Sequence, residues 1–406
     1  MNVFENLGLG HELQATIKGL GFTEPTEIQA LSIPHITEGK DVIGESATGS
    51  GKTLAFGSAI AEKVMPRKGL QALILTPTRE LAEQVKDVLK QLSPNLNIIA
   101  IYGGVSIGPQ IDDLPRADVV VATPGRMLDH LGRRTIDTSK VNILVLDEAD
   151  RMFEMGFIED VEQIIRACPE KRQTLFFSAT ISSRVKELAS QYMVEPTTVM
   201  AKRHVDPSKL KQVYYDVPRN MKLSLLVHLL ENEKSGLVMV FCNTRRMTDF
   251  VEKNLKKNRI NAIAIHGGLT QNKRNKTISM FNGAKVGVLV CTDVAARGLD
   301  IDNVSHVYNY DLPKDANDYV HRIGRTARAG EEGIVINLLC DLDHDNFSRI
   351  LRDYDFNIEK LQKPYVKMVM AAKVEERRDE RRSWGGRRQP QRRRFSGGQR
   401  YGRGRR

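Results

Sequence analysis

Long hydrophobic runs are missing from this sequence. No apolar stretch reaches about ten residues, whereas a helix that crosses a bilayer needs about 20. The amino-terminal residues, MNVFENLGLG, also lack the basic stretch followed by an apolar one that marks a secretory signal. These absences argue against a membrane or secreted protein, and we expect a cytoplasmic protein with no membrane partner.

Cysteine is also scarce. The four cysteines, Cys168, Cys242, Cys291 and Cys340, lie far apart and lack the short spacing of a metal site. Three of them lie in or next to apolar runs. We therefore predict buried, reduced thiols rather than disulfides, as is usual in the cytosol.

Acidic residues are few at the carboxyl end, where arginine is abundant. The chain carries a net charge of +11, and residues 371–406 contribute +10 of it. This segment lacks hydrophobic periodicity, so we predict a disordered basic tail over 366–406. Trp384, Phe395 and Tyr401 lie among the arginines, a combination suited to stacking on unpaired bases and contacting phosphates. Nucleic-acid contact is the favoured interpretation, and a merely solubilising tail is the alternative.

The rest of the chain is rich in short, β-branched apolar runs that alternate with amphipathic segments. The expected strands are 41–44, 72–76, 118–123, 142–147, 174–178, 213–217, 237–242, 262–266, 287–292, 306–310 and 333–339. Helical patterns such as 79–92 and 248–258 lie between them. This alternation predicts an α/β fold, with parallel sheets covered by helices on both faces. A polar stretch at 200–212 divides the series, so we predict two tandem domains, 1–203 and 204–365.

A glycine-rich loop follows the first expected strand. In its sequence, SATGSGKT, Gly49 and Gly51 would let backbone N–H groups surround phosphate oxygens, in front of a helix start that favours an anion. Lys52 would reach the β- and γ-phosphates of ATP, and the hydroxyl of Thr53 would bind Mg²⁺. Ser46 stands where the strict pattern has glycine. The alternative is a glycine turn with an incidental lysine.

The stretch VNILVLDEAD ends a buried-strand pattern in three acids, Asp147, Glu148 and Asp150. Ligands bind at the carboxyl edge of a parallel sheet, where this strand would deliver them. Asp147 would hold Mg²⁺ through water, because Mg²⁺ keeps much of its hydration shell. Glu148 would orient and deprotonate the attacking water, and Asp150 would pair with a polar group elsewhere. Without the phosphate loop, the simpler interpretation of these three acids would be that they lie at a strand end exposed to water.

These motifs, taken together, resemble the DEAD-box RNA helicases. The resemblance extends motif by motif, in the family's order, over residues 4–365. It implies two RecA-like domains, ATP and Mg²⁺ as cofactors, and RNA as the partner. The implied enzyme is an RNA-dependent ATPase, an ATP-dependent RNA helicase that separates short duplexes locally or remodels RNA–protein complexes.

The segment GFTEPTEIQ resembles the family's adenine-reading motif, with Phe4 as its upstream aromatic residue. The resemblance implies that Gln29 binds the edge of adenine, for which its amide offers both a donor and an acceptor. Phe22 would pack on the base. The segment also fits a helix start after Pro25, with Thr26 as the cap, and both interpretations can hold at once.

Further segments are similar to the family's RNA-facing motifs: PTRELAEQ, GG and TPGR in the first half, and FCNTRR, HGGLTQNKR and CTDVAARGLD in the second. They imply contacts with the RNA backbone that do not read base identity. The implied RNA-binding residues are Thr78, Arg79, Gly104, Thr123, Arg126, Arg245, Gln271, Arg274 and Thr292. The residues implied to couple the nucleotide and RNA sites are Asp150, Ser178, Thr180 and His321.

The segment YVHRIGRTARAG resembles the family's arginine-finger motif. The resemblance implies that Arg325 and Arg328 reach the γ-phosphate from the second domain and that Asp300 binds the ribose. Positions three apart on a helix share one face, so both guanidinium groups could converge on one anion. Without the phosphate loop, such a pair would be interpreted as a solvated helix face.

Two other functions stay open. The chain could be an ATP-gated RNA clamp, a platform for protein partners that separates strands little. A DNA helicase is a third interpretation, which the Gln29 motif and the DEAD sequence together disfavour.

Overall fold

Two parallel sheets organise the protein. The computed structural model describes residues 4–46, 49–201, 210–233, 235–296, 301, 304–326, 333–353 and 356–371, and each sheet in these ranges has seven strands. The first sheet contains β1 (Val42–Glu45), β2 (Ala72–Leu75), β3 (Ile98–Ile101), β4 (Val119–Ala122), β5 (Ile143–Asp147), β6 (Gln173–Ser178) and β7 (Thr197–Met200). The second contains β8 (Leu210–Asp216), β9 (Leu237–Phe241), β10 (Ala262–Ile265), β11 (Val288–Cys291), β12 (Val304–Asn309), β13 (Gly333–Leu339) and β14 (Glu359–Lys360).

Helices connect the strands, as parallel pairing requires. Those of the first domain are α1 (His11–Gly19), α2 (Glu27–Thr37), α3 (Lys52–Lys63), α4 (Arg79–Leu92), α5 (Gly108–Asp113), α6 (Pro124–Gly132), α7 (Ala149–Glu154), α8 (Ile158–Arg166) and α9 (Ser183–Tyr192). Those of the second are α10 (Lys222–Asn232), α11 (Arg245–Lys257), α12 (Gln271–Asn282), α13 (Asp293–Ala296), α14 (Ala316–Ile323) and α15 (His344–Asp353). Short 3₁₀ helices lie at Phe4–Leu7, Leu114–Arg116 and Arg219–Met221.

The two sheets have the same architecture. The first runs β3-β4-β2-β5-β6-β1-β7 and the second β10-β11-β9-β12-β13-β8-β14, so each strand has a counterpart in the other sheet. Each sheet lies between two apolar layers. In β2, for example, Ala72 and Ile74 face one layer while Leu73 and Leu75 face the other, as period-two alternation dictates. Burial on both faces explains the nearly continuous apolar strands.

The α/β prediction of two parallel-sheet domains is confirmed. Each of the eleven expected strands corresponds to an observed one, and the helix expected at 79–92 is α4. Three observed strands, β3, β7 and β14, were not predicted, and all three lie at sheet edges. All four cysteines are buried and free, as predicted.

The ends of the predicted domains lie close to undescribed residues. The boundary at 203 and 204 and most of the predicted tail fall outside the described ranges. Residues 366–371 are described: Val366 and Val369 pack against the second domain, and the N–H of Val369 donates to Ser224 Oγ at 3.0 Å. None of the helices in the described ranges has the length and apolar character to span a membrane.

Candidate active site and RNA interface

The phosphate loop lies between β1 and α3. Gly49 and Gly51 have φ values of 76° and 89°, in the left-handed region that favours glycine. A Cβ atom on Gly51 would also lie 2.3 Å from Gln29 Nε2, so any side chain there would displace a neighbour. Lys52 is the first residue of α3, and its ammonium group donates to the carbonyl of Ser46 at 2.9 Å. The lysine therefore lies across the mouth of the loop.

Gln29 joins the predicted adenine motif to this loop. Its Oε1 accepts from the N–H of Thr26 at 2.9 Å, which caps α2, and its Nε2 donates to the carbonyl of Gly51 at 3.0 Å. These contacts leave one lone pair and one N–H of the amide for a ligand. Phe22 is 47% exposed, whereas Phe4 is buried in the core. Only Phe22 of these two aromatic residues presents a surface on which a base could pack.

Asp147 and Thr53 fit a magnesium site. Asp147 ends β5, and its buried Oδ1 has no hydrogen-bond partner among the described residues. Burial raises the pKa of Asp147 to about 7, against the opposing effect of Lys52. A hard cation would supply the missing partner of this oxygen and displace the proton. Thr53 is half-buried at the start of α3, where it brings a hydroxyl to the loop.

Glu148 occupies an unusual backbone position in a strongly charged environment. Its φ and ψ are 54° and 51°, left-handed values that are uncommon for a residue with a side chain. Burial alone would raise the pKa of Glu148, but it is lowered on balance by the positive charges of Arg151, Lys52, Arg325 and His321. Arg151 Nη1 donates to Glu148 Oε2 at 3.0 Å. Glu148 is therefore ionised, and two of the four side chains that lower its pKa, Arg325 and His321, belong to the second domain.

Arg322 holds the segment that carries those two second-domain charges, and it was not among the predicted site residues. It is 1% exposed and lies over the Phe241 ring, with Cζ 5.1 Å from the ring centroid. Its guanidinium group donates to the carboxylate of Asp293 at 2.5 and 2.7 Å and to Asn243 at 2.9 Å. Further bonds reach Asn309 Oδ1 at 2.9 Å and the Asp311 carbonyl at 2.6 Å. The ends of β9, β11 and β12 are thus tied to α14.

Arg325 follows α14 and is 3% exposed. It lines a narrow crevice together with His321, Arg322, Phe241 and other residues at the carboxyl edge of the second sheet. The other two predicted ATP contacts of this domain, Arg328 and Asp300, lie outside the described residues.

Asp150 pairs with the segment after β6. Its Oδ2 accepts from the N–H of Thr180 at 2.9 Å and from the Thr180 hydroxyl at 3.0 Å. The Ser178 hydroxyl accepts from the N–H of Asp150 at 3.2 Å and donates to the Thr180 carbonyl at 2.8 Å. Three of the four residues predicted to couple the two sites therefore form one hydrogen-bonded group.

Three of the predicted RNA-facing residues of the first domain, Arg79, Gly104 and Arg126, meet at one turn. Gly104 has a φ of 81°, and a Cβ atom there would lie 2.0 Å from Arg79 Nη1, so the guanidinium group rests on this glycine. Arg126 Nη2 donates to the next carbonyl, that of Val105, at 3.0 Å. Thr78 and Thr123 immediately precede α4 and α6, where helix N-termini can meet a phosphate.

In the second domain, two predicted RNA-binding residues contact the first domain. Gln271 Nε2 donates to Glu80 Oε1 at 3.0 Å. Arg274 Nε lies 2.8 Å from the same oxygen, an ion pair whose N–H direction is not that of a hydrogen bond. Glu80 is 8% exposed and was not predicted; its only signal in the sequence is its place in PTRELAEQ.

The remaining two predicted RNA-binding residues stand at strand ends. Arg245 begins α11 beside Gly267, where a Cβ atom would lie 3.0 Å from Arg245 Nη2. Thr292 follows β11 and is 8% exposed, and its carbonyl accepts from the N–H groups of Ala295 and Ala296. Arg245 and Thr292 therefore lie at the same carboxyl edge of the second sheet.

The fold and the loop together define a phosphate-loop protein with two RecA-like domains. Residues 26–188 match the family model described as DEAD/DEAH box helicase, and residues 221–330 match the helicase conserved C-terminal domain. The chain is 42% identical to the DEAD-box ATP-dependent RNA helicase CshA of Bacillus cereus over 90% of its length and 70% of the relative's. It is 41% identical to the protein of that name from Bacillus subtilis, over 89% of this chain and 74% of the relative.

Solved structures give the same result. The chain is similar to Saccharomyces cerevisiae Dbp5 bound to RNA and ADP BeF3, with a TM-score of 0.79 and 30% identity over 89% of this chain and 96% of that one. A DEAD box protein of Methanococcus jannaschii gives a TM-score of 0.54 at 39% identity, over 89% of this chain and 99% of that one. This chain belongs to the DEAD-box ATP-dependent RNA helicases, and it is an RNA-dependent ATPase that binds RNA.

Proposed function

We propose that this protein uses ATP in the cytoplasm to separate short RNA duplexes locally or to remodel RNA–protein complexes. The observation that carries the proposal is the pair of contacts between the two domains, from Gln271 Nε2 and Arg274 Nε to Glu80 Oε1. The lowering of the pKa of Glu148 by side chains of both domains supports it. A site completed by two domains works only when the domains are together. ATP hydrolysis is then coupled to the arrangement of the two domains, and the same arrangement also decides how RNA is held.

ATP would bind at the phosphate loop of the first domain. Lys52 and the backbone N–H groups around Gly49 and Gly51 would hold the phosphates, and Gln29 and Phe22 would contact adenine. Mg²⁺, held by Thr53 and Asp147, would neutralise phosphate charge when bound. Asp300 would contact the ribose from the second domain.

Glu148 would act as the general base. It is ionised, and its carboxylate lies among cations that keep it so. Arg325 and Arg328 would stabilise the negative charge that develops on the transferred phosphoryl group. His321 would help to link this segment to the nucleotide.

RNA would bind along both domains through its backbone. Thr78, Arg79, Gly104, Thr123 and Arg126 would form the first half of the contact surface. The second half would consist of Arg245, Gln271, Arg274 and Thr292. Because ATP and RNA would each favour the joined domains, each promotes binding of the other. Gripping one strand in a bent form would conflict with A-form pairing, and contacts with 2′-hydroxyl groups would favour RNA over DNA.

The proposed domain limits are 1–203 and 204–365, followed by an RNA-binding tail over 366–406. Deleting residues 371–406 should weaken RNA affinity and flatten its dependence on salt, because fewer phosphates are neutralised. ATP turnover at saturating RNA should stay the same. An unchanged salt slope would show that the tail does not bind RNA.

The central test is steady-state ATP turnover without nucleic acid, with an RNA duplex bearing a single-stranded overhang, and with the matching DNA. Strand separation would be followed in the same RNA samples. Stimulation by RNA alone, with release of the second strand over many turnovers, is the expected result. Long-lived RNA binding with little turnover or release would instead support the ATP-gated clamp, and equal stimulation by DNA would contradict both.

A further inference from the structure

Gln110 is a buried amide beside the RNA-facing turn of the first domain. It lies in α5 and is 9% exposed. Its Oε1 accepts from Arg126 Nη1 at 3.0 Å, and its Nε2 donates to the Tyr102 carbonyl at 3.2 Å. A guanidinium group has donors only, so the amide oxygen must face Arg126 and the nitrogen must face the carbonyl. The orientation of Gln110 is therefore fixed by chemistry.

His130 supports Gln110 from the protein interior. His130 is fully buried, with Nε2 3.3 Å from Gln110 Oε1 and Nδ1 2.8 Å from Thr135 Oγ1. Burial, followed by the charge of Arg126, lowers the pKa of His130, so the ring is neutral near neutral pH. Nε2 then carries the proton and donates to the amide oxygen, while Nδ1 accepts from the threonine.

The turn that Gln110 holds carries two guanidinium groups. The carbonyl of Tyr102 precedes the glycine on which Arg79 rests, and Arg126 donates to the carbonyl of Val105 just after it. The other contact of Arg126 is with Asp129, at 3.9 Å. The charge of Arg79 is one of the causes that lower the pKa of Arg126, after burial, so the two guanidinium groups repel each other. The anionic phosphate of an RNA backbone, held between them, would reduce that repulsion.

We infer that Gln110 is a positioning residue for RNA binding: it fixes the side chain of Arg126 against the Tyr102–Val105 turn, in the geometry that receives a backbone phosphate. The inference rests on the proposed RNA role of Arg126. Gln110 itself is turned inward and does not contact RNA. Its effect is to order a long side chain before RNA arrives, which reduces the entropy lost on binding.

The test uses the full-length protein and ATP turnover measured against the concentration of single-stranded RNA. Gln110→Met keeps the size of the side chain but removes both polar contacts. The RNA concentration at half-maximal turnover should rise about 5- to 20-fold, the range expected for a lost hydrogen bond and one newly mobile side chain. Turnover at saturating RNA and the KM for ATP should not change. Gln91→Met, an exposed glutamine on α4, is the matched control.

A double-mutant cycle separates positioning from general destabilisation. If Gln110 acts through Arg126, the double variant Gln110→Met/Arg126→Ala should bind RNA no more weakly than Arg126→Ala alone. The inference would be overturned if the loss of RNA affinity in the double variant equalled the product of the losses in the two single variants. It would also be overturned if Gln110→Met bound RNA as the wild type does. Should Gln110→Met fail to fold, Gln110→Asn, which withdraws the same amide by one methylene, takes its place in the cycle with the same expectation.

The cycle also separates this inference from the proposed function. If Arg126→Ala binds RNA as the wild type does, the RNA role of Arg126 fails and the inference fails with it. If Arg126→Ala weakens RNA binding but Gln110→Met does not, only the positioning role of Gln110 is wrong.

Discussion

The two domains share one strand order but differ at one corner. β1 lies between β6 and β7, and its counterpart β8 lies between β13 and β14. A lysine begins the helix after each strand, Lys52 in α3 and Lys222 in α10. Lys52 donates to the neutral carbonyl of Ser46, whereas Lys222 Nζ lies 2.7 Å from the Asp343 carboxylate and is 3% exposed.

The chain segments that lead to the two lysines also differ. The connection before Lys52 contains glycines with left-handed backbone, which let N–H groups point at phosphate oxygens. The connection before Lys222, residues 217–221, contains Pro218 and no glycine. Asp343 provides there an internal carboxylate, which also accepts from the N–H of Cys340 at 3.0 Å. The lysine of the second domain is therefore paired with a carboxylate of the same domain, whereas the lysine of the first domain lies at the proposed phosphate loop.

The largest effect should come from replacing Glu148, the proposed general base of the first domain. Glu148→Gln should lower RNA-stimulated ATP turnover by about 10²- to 10⁴-fold, because the amide cannot accept the proton of the attacking water. ATP binding should change little, as a nucleotide-binding assay would show. Glu159→Gln, an exposed residue on α8, should behave as the wild type. Turnover near wild type in Glu148→Gln would mean that the base is assigned wrongly.

The paired lysines test the comparison directly. Lys52→Met should lower ATP turnover by about 10²- to 10³-fold, because it removes a positive charge from the phosphates. Lys222→Met should leave turnover at saturating RNA unchanged and lower the thermal unfolding midpoint instead. A Lys222→Met variant that lost ATP turnover but kept the wild-type unfolding midpoint would show that Lys222 takes part in ATP hydrolysis. The proposed difference between Lys52 and Lys222 would then be wrong.

Removing the internal carboxylate should destabilise the second domain. Asp343→Asn leaves Lys222 charged and buried, and such a change lowers the free energy of unfolding by about 3–5 kcal/mol. The double variant Lys222→Met/Asp343→Asn should recover most of that loss, since no charge then remains buried. Denaturant unfolding of the single and double variants measures both. A single variant as stable as the wild type would show that the ion pair is dispensable.

The smallest effect concerns the acid that joins the two sheets. Glu80→Gln should raise the RNA concentration at half-maximal turnover about two- to fivefold, because a charged contact between the domains becomes a neutral one. Glu187→Gln, exposed on α9, is the control. Tighter RNA binding by Glu80→Gln would reverse the interpretation, since Glu80 would then compete with RNA for Arg274.

Hydrophobic patterning predicted every interior strand of the two sheets but only one of the four edge strands, β10. Strands such as β5 and β11 are buried throughout and have continuous apolar sequences. The unpredicted strands β3, β7 and β14 are partly or fully exposed, and β14 has only two residues, Glu359 and Lys360. Edge strands are defined by the neighbour with which they pair, so their own sequence carries a weak signal.

The residues of the candidate site also fall into two groups, those that the local sequence predicts and those that it does not. Residues whose roles follow from local spacing, such as Lys52 in the glycine loop, could be proposed from the sequence. Arg151, Glu80 and Gln110 could not, because their partners are set by the tertiary fold. Gln29 illustrates both cases: its motif is readable, but its bond to the Gly51 carbonyl is visible only in the structure.

Arg322 has a mechanical consequence. One guanidinium group hydrogen-bonds the ends of three strands to α14. We therefore expect the second sheet and the segment leading to Arg325 to move as one rigid body. We expect a displacement of the strand ends near Arg245 or Thr292 to move Arg325 as well, through the hydrogen bonds of Arg322. Conformational change during ATP turnover is therefore expected between the two sheets rather than within the second sheet.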